Sequence, residues 1–205
     1  MEKFKGKYRI PSARWQNWDY RWAGAYFVTI CTKGREHLFG EIVDKRMVYS
    51  HVGVIADILW CEIKNHTKNV ELAEYIVMPN HVHGILILNG DNVSVPVVGT
   101  FSVVGTLHAT SLQPTEPQPT EPQPEPPTKN QTMSNISPKS GSVSTVIRSY
   151  KSAVTMHARR LGFQMEWQTR FHDHVIRNDA EYQRIAQYII NNPLNWPSDK
   201  FYGNI

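Results

Sequence analysis

A chain of 205 residues has room for one sizeable core, and 40% hydrophobic content suits a globular protein. A net charge of +4 and a pI near 9.0, with 6 Trp and 9 Tyr, point to a polyanionic partner, because basic residues interleaved with rings suit single-stranded nucleic acid. Cys31 and Cys61, outside any C-x-x-C pair, exclude a disulfide framework and a zinc ribbon, and the lack of any apolar run of membrane-spanning length or of a leader-like start predicts a cytoplasmic protein.

Residues 1–24 mix Lys3, Lys5, Lys7, Arg9, Arg14 and Arg21 with Trp15, Trp18, Tyr20 and Trp22. Such a segment makes either a phosphate-attracting arm with stacking surfaces or an arm whose rings pack on the domain. Residues 25–32, rich in aromatic and β-branched side chains and closed by Lys33-Gly34, predict the first strand. Val52, Ile55, Ile58, Leu59 and Ile63 then form a helical stripe within 49–65. Residues 69–78 return to strand composition, and 82–88 follow a short turn to complete a β-hairpin.

Composition collapses over 89–141, where Val-Val-Gly-Thr stands at 97–100 and 103–106 and Pro-Thr-Glu-Pro-Gln at 114–118 and 119–123. A stretch of this kind buries too little apolar surface to offset its ordering entropy, and it reads as a disordered or polyproline-like insertion. Ser142 is a suitable N-cap for a helix with Val143, Val146, Ile147, Tyr150, Val154 and Leu161 on one face. Arg148, Lys151, Arg159 and Arg160 lie off that face. Residues 163–177 are extended in character, and Asn178-Asp179 open a last helix that Pro193 stops. The order β-α-β-β-α-β-α predicts an α+β fold, a ferredoxin-like split βαβ antiparallel sheet with an extra terminal helix. Helices are expected over one sheet face, leaving the other available. The domain spans 25–205 behind the arm and is interrupted by the insertion.

The chemistry concentrates in Asn80-His-Val-His-Gly84. Side chains alternate on a strand, so His81 and His83 share one face while Val82 turns into the core, and paired imidazoles suit a divalent cation. Pro79 and Asn80 favour a turn, so the pair sits where a strand begins. A bound cation needs a further ligand and something to activate. Tyr150 falls on the apolar stripe of its helix and reads as core. Tyr188 and Asn192 are i and i+4 on the last helix and point the same way, a phenol beside a carboxamide oxygen. From the residues alone the plainer readings, a packed ring and a C-cap amide, take precedence. His172-Asp173-His174 repeats the spacing with a charged centre, which predicts a surface or DNA-facing strand, with His174 within reach of the site as a supporting group.

Tyr26-Phe-Val-Thr-Ile-Cys-Thr-Lys33, Met78-Pro-Asn-His-Val-His83, Ile147-Arg-Ser-Tyr-Lys-Ser-Ala-Val-Thr155 and Tyr188-Ile-Ile-Asn-Asn-Pro193 together resemble the HUH single-tyrosine transposases, in particular the REP-associated tyrosine transposases. The likeness spans most of the chain outside the insertion. It implies Mg2+ or Mn2+ held by His81, His83 and Asn192 at a scissile phosphate, with Tyr188 attacking single-stranded DNA to give a 5′-phosphotyrosine and a free 3′-OH. It also implies hairpin or palindromic DNA as partner, a homodimer, and no nucleotide cofactor. Lys33, Arg35, Arg148 and Lys151, with Trp15 and Trp18, are the candidate DNA contacts.

Three activities fit these residues. A strand-transfer enzyme would trap itself on DNA through tyrosine. A metal phosphodiesterase using water would cleave without trapping. A non-catalytic nucleic-acid-binding module with the same fold would bind in a salt-sensitive manner that chelation leaves untouched.

Overall fold

β1 (Gly24–Cys31) lies inside the main sheet because both of its edges are used, one by β5 (His81–Leu88) and the other by β6 (His172–Ile176). β4 (Val70–Met78) pairs with β5 across the two-residue turn Pro79-Asn80, and the order β4-β5-β1-β6 is antiparallel throughout. The computed structural model describes residues 19–89 and 141–202. Residues 1–18, including Trp15 and Trp18, residues 90–140 of the 89–141 insertion and residues 203–205 lie outside them.

Alternation along β1 and β5 divides the core into two. Tyr26, Val28 and Ile30 face the same way as Val82, Leu86 and Leu88, towards α1 (His51–His66) and α2 (Val143–Arg160). Ser50 and Ser142 cap these helices, each hydroxyl accepting from an N–H three residues on. The α1 stripe is rotated from the expected one. Val52, Ala56, Trp60 and Ile63 are buried while Ile58 is exposed, since small Ala56 lets the helix approach and Trp60 fills the space. Trp60 lies directly on Gly84, where a Cβ would stand 2.2 Å from its Cζ2.

The opposite face is not free, in contrast to the expectation. The terminal helix α3 (Asp179–Asn191) lies across it, packing Ile185, Ala186 and Ile189 against Ile85, with Phe27, Ala25 and Ile76 around them. Apolar residues at alternate positions of both inner strands leave this second face too hydrophobic to be left in water.

Two further differences have local causes. Between β1 and α1 stands a hairpin, β2 (Gly40–Val43) and β3 (Arg46–Tyr49), turned by Asp44 and Lys45 at φ 47° and 62°. The expected long strand over 163–177 shrinks to β6. Its pairing with β1 stops at Thr29–His172, and the next bridge, Thr32–Trp167, is displaced by two residues, so the intervening chain leaves the ladder.

Of the N-terminal arm, residues 19–24 fold back on the domain: the Tyr20 and Tyr26 rings are 5.8 Å apart, and the Tyr26 hydroxyl donates to the Trp22 carbonyl at 2.7 Å. Among the described residues no helix is long and apolar enough to cross a membrane.

Gly84→Ala forces Trp60 off the sheet and is expected to lower the unfolding free energy by about 1–3 kcal/mol, as overpacking of a filled core does. Denaturant unfolding reads this directly; an unchanged midpoint would show that Trp60 does not depend on the bare backbone at Gly84.

Candidate active site

The β4–β5 turn leaves His81 and His83 at the start of β5, facing α3, each essentially buried. Asn80, fully buried in the turn, sets the state of the first ring. Its Nδ2 donates to the carbonyls of Arg35 at 3.1 Å and Phe201 at 2.9 Å, so its Oδ1 is the atom left to face His81 Nδ1, at 2.8 Å. An amide oxygen can only accept, so the proton of His81 resides on Nδ1 and Nε2 keeps its lone pair. That Nε2 is buried without a hydrogen-bond partner.

His83 is built in parallel. Nδ1 meets the Thr29 hydroxyl at 2.9 Å across the β1–β5 ladder, and Nε2 meets the Tyr188 hydroxyl at 3.2 Å. The two imidazole centroids are 4.4 Å apart. Burial pushes the pKa of both rings down, to about 3 at His83 and well below the ordinary value at His81. The positive charge of Lys200 adds to this at both, and at His81 so does its neighbour His83. Both rings are therefore neutral and able to act as ligands.

Seating Ile185 and Ile189 on the sheet fixes the rotation of α3 and brings Tyr188 to the edge of the histidine pair, its ring edge-on to Phe27. Tyr188 is 39% exposed, so one side of the phenol is open to a substrate. Burial, then the negative charge of Asp199, raises its pKa to about 12, with Asn192 opposing through a hydrogen bond. Asn192 follows one turn later. Its Nδ2 donates to Asp199 Oδ2 at 3.1 Å, while its Oδ1 is buried without a hydrogen-bond partner.

Two buried atoms of the same character, His81 Nε2 and Asn192 Oδ1, thus lack hydrogen bonds, one beside His83 and the other one helical turn beyond Tyr188. Both are acceptors, and an electron-poor atom, a cation or a proton donor, is what they would take. Among the described residues no three His, Cys, Asp or Glu side chains gather as a metal-binding group, so a third protein ligand here would be the Asn192 amide. Two imidazoles and one carboxamide oxygen are neutral donors of the mixed N/O kind that can hold a divalent transition ion such as Mn2+, whereas Mg2+ favours oxygen ligands alone.

Residues beyond the last helix, which the sequence reading did not single out, complete the site. After the short helical turn Pro193–Ser198, Asp199 accepts from Asn192 and, at 3.4 Å, from the Tyr188 hydroxyl; the Phe201 ring lies 4.5 Å from that of His81. Arg35, in the left-handed region at φ 61°, donates to the Lys200 carbonyl at 3.1 Å and stacks on Phe201, its guanidinium 5.0 Å from the ring centroid. Of the other candidate DNA contacts, Lys33 is exposed and ion-paired with Glu166, and Arg148 is exposed. Lys151 is half-buried, donating to the Gln168 carbonyl at 2.5 Å.

Tyr150 is core, its hydroxyl donating to the Ala56 carbonyl at 3.0 Å. The second histidine triplet differs from expectation. Asp173 is its buried residue, because Val175 packs inward opposite Tyr26 and period-2 alternation carries Asp173 in with it. His174 pairs with Glu181 at 2.8 Å at the start of α3, and it is His172 that lies opposite Thr29, in line with His83.

No family model matches the chain. An uncharacterized protein of Haemophilus influenzae (strain ATCC 51907 / DSM 11121 / KW20 / Rd) is 31% identical over 201 residues, 96% of this chain and 95% of that one. Among solved structures, a REP-associated tyrosine transposase bound to a REP hairpin is similar with TM-score 0.49 and 17% identity, over 92% of this chain and 73% of that chain. A "putative transposase" from Deinococcus radiodurans r1 follows with TM-score 0.36 and 13% identity, over 87% and 95%. Likenesses this distant decide nothing about the chemistry of this site.

The depressed histidines have a consequence for acid stability. Between the ordinary value of 6.5 and about 3, the unfolded chain binds a proton at His83 that the folded chain refuses, and His81 acts in the same direction. Stability is therefore held above about pH 6.5 and falls as the pH drops through that window. In chelator-treated protein the thermal midpoint is expected to fall between about pH 7 and about pH 5, and His83→Gln to flatten the slope. Equal slopes would contradict the buried neutral pair.

Proposed function

This chain belongs to the same family as the Haemophilus influenzae protein, and we propose that it is a metal-dependent enzyme that nicks and rejoins single-stranded DNA through Tyr188. The observation that carries the reading is the phenol of Tyr188 in contact with His83 Nε2 at 3.2 Å, with two buried acceptors that no protein group meets, His81 Nε2 beside that ring and Asn192 Oδ1 one helical turn beyond the phenol. The sequence resemblance to HUH single-tyrosine transposases, whose motif falls on these same residues, supports it.

His81, His83 and Asn192 would hold Mg2+ or Mn2+, which when bound polarises a phosphate oxygen and offsets the charge that builds up at phosphorus. The remaining steps belong to the protein. Before substrate enters, Tyr188 is protonated, its pKa held at about 12 by burial and by Asp199. As its oxygen attacks phosphorus the phenol gives its proton to water on its open side, the new Tyr–O–P bond forms as the P–O3′ bond breaks, and the 3′ oxygen leaves and takes a proton back from water. The product is a 5′-phosphotyrosine, from which a second 3′-OH can displace Tyr188 and restore a phosphodiester. Phe27, edge-on to the phenol, limits its swing.

The reading extends, through the resemblance, to hairpin or palindromic DNA as substrate and a homodimer. Lys33, Arg35 and Arg148 are assigned to its backbone, and each such contact steepens the salt dependence of binding. The basic arm with Trp15 and Trp18 is assigned to the unpaired strand.

Incubating the chain with Mn2+ and a hairpin-bearing single strand is expected to yield a covalent protein–DNA adduct that survives denaturation. Tyr188→Phe should abolish it, and His81→Ala or chelation should reduce it by at least about 100-fold, since the metal polarises the reacting phosphate. Adduct formation by Tyr188→Phe at the wild-type level would overturn the assignment, and cleavage without adduct would favour water as nucleophile.

A further inference from the structure

We infer that Asp199 is the positioning residue that turns the Asn192 amide so that its oxygen, and not its nitrogen, faces the metal. The inference rests on the proposed metal site and adds a residue to it.

A carboxamide presents an acceptor on one side and two donors on the other, and either can face the cavity until a neighbour selects one. Asp199 is that neighbour. Its Oδ2 lies 3.1 Å from Asn192 Nδ2 and 3.4 Å from the Tyr188 hydroxyl, and its Oδ1 accepts the Phe201 N–H at 2.7 Å. A carboxylate has acceptors alone. Turning the Asn192 amide over would set two acceptors against each other and would aim N–H groups where a cation has to sit. The buried, unpartnered Asn192 Oδ1 is what the selected orientation leaves behind. Asp199 also receives the nucleophile's hydroxyl, so one carboxylate contacts both Tyr188 on α3 and Asn192 at its C-cap.

This arrangement mirrors the turn at the other end of the site, where Asn80 Oδ1 fixes the proton of His81 on Nδ1. In each case the ligand atom is set by the hydrogen bond made on its far side.

The shape of the Asp199 contacts makes a sharp test. In Asp199→Asn the new amide must keep its oxygen on the Phe201 N–H, the shorter contact, so its nitrogen faces Asn192. Asn192 then turns its oxygen towards that nitrogen and presents N–H groups to the metal. Asn192→Asp combined with Asp199→Asn restores a complementary pair: the amide at 199 donates to one oxygen of the new carboxylate at 192 and leaves the other for the cation. Mn2+ affinity of the full chain, measured by calorimetry without DNA, is expected to fall about 10- to 100-fold in Asp199→Asn and in Asp199→Ala. In the swapped variant it should return most of the way. Asn192→Asp alone adds the same charge but sets it against Asp199, so it is expected to bind Mn2+ less tightly than the swapped variant, and equal affinity of the two would overturn the inference. If Asp199→Asn and Asp199→Ala bind Mn2+ like wild type while His81→Ala does not, or if the swap binds no tighter than Asp199→Asn, the inference is overturned and the metal site stands. A wild-type chain that binds no Mn2+ overturns the proposed function and the inference together.

Discussion

The site depends on what Asn80 does with a buried amide. Its two N–H donors are spent on carbonyls from the loop after β1 and from the C-terminal segment, and its backbone carbonyl takes both the N–H and the hydroxyl of Thr32. One residue in a two-residue turn therefore ties two distant stretches of chain, the loop after β1 and the C-terminal segment, to the β4–β5 hairpin. The same amide has a single acceptor left for His81, which settles the tautomer of the ring. Fold closure and the protonation of His81 meet in one side chain.

Around that turn the protein accepts a cost. An unsatisfied buried polar atom typically costs about 1–3 kcal/mol, and His81 Nε2 and Asn192 Oδ1 both stand in that condition. Two packed faces meet the cost: α1 and α2 on one, with Trp60 set against Gly84, and α3 on the other, with Ile185 and Ile189 seated on Ile85. The seating of α3 also determines reach. Tyr188 is the residue just before the buried Ile189, so its ring comes off the shoulder of the helix, in contact with His83 on one side and open on the other.

The parts of this arrangement written in short-range pattern were legible in the sequence. Alternation along 81–88 put both histidines on one face, and i, i+4 spacing aligned Tyr188 with Asn192. What escaped was settled by contacts between distant segments. Asp199 lies past Pro193, in a stretch with no periodicity, and only the fold sets it against Asn192. The burial of Asp173 followed from the packing of its neighbour Val175, against the expectation drawn from its own charge. The terminal helix covers a face expected to be free, although Phe27, Ile85 and Ile87 were visible as apolar residues on the histidine side of their strands. The β2–β3 hairpin did leave a signal in Val43-Asp-Lys-Arg46, a turn-compatible pair between short alternating runs, but Asp-Lys lacks the glycine that makes such turns easy to see.

The central claim is that two neutral imidazoles and the Asn192 carboxamide converge on a cation beside Tyr188. Crystals of the chain soaked in Mn2+ and measured by anomalous scattering test it most directly. The account predicts one strong anomalous peak bounded by His81 Nε2, His83 Nε2 and Asn192 Oδ1, with the Tyr188 hydroxyl displaced from His83. No peak there, or a peak held by other side chains while His83 Nε2 keeps its contact with Tyr188, would contradict it.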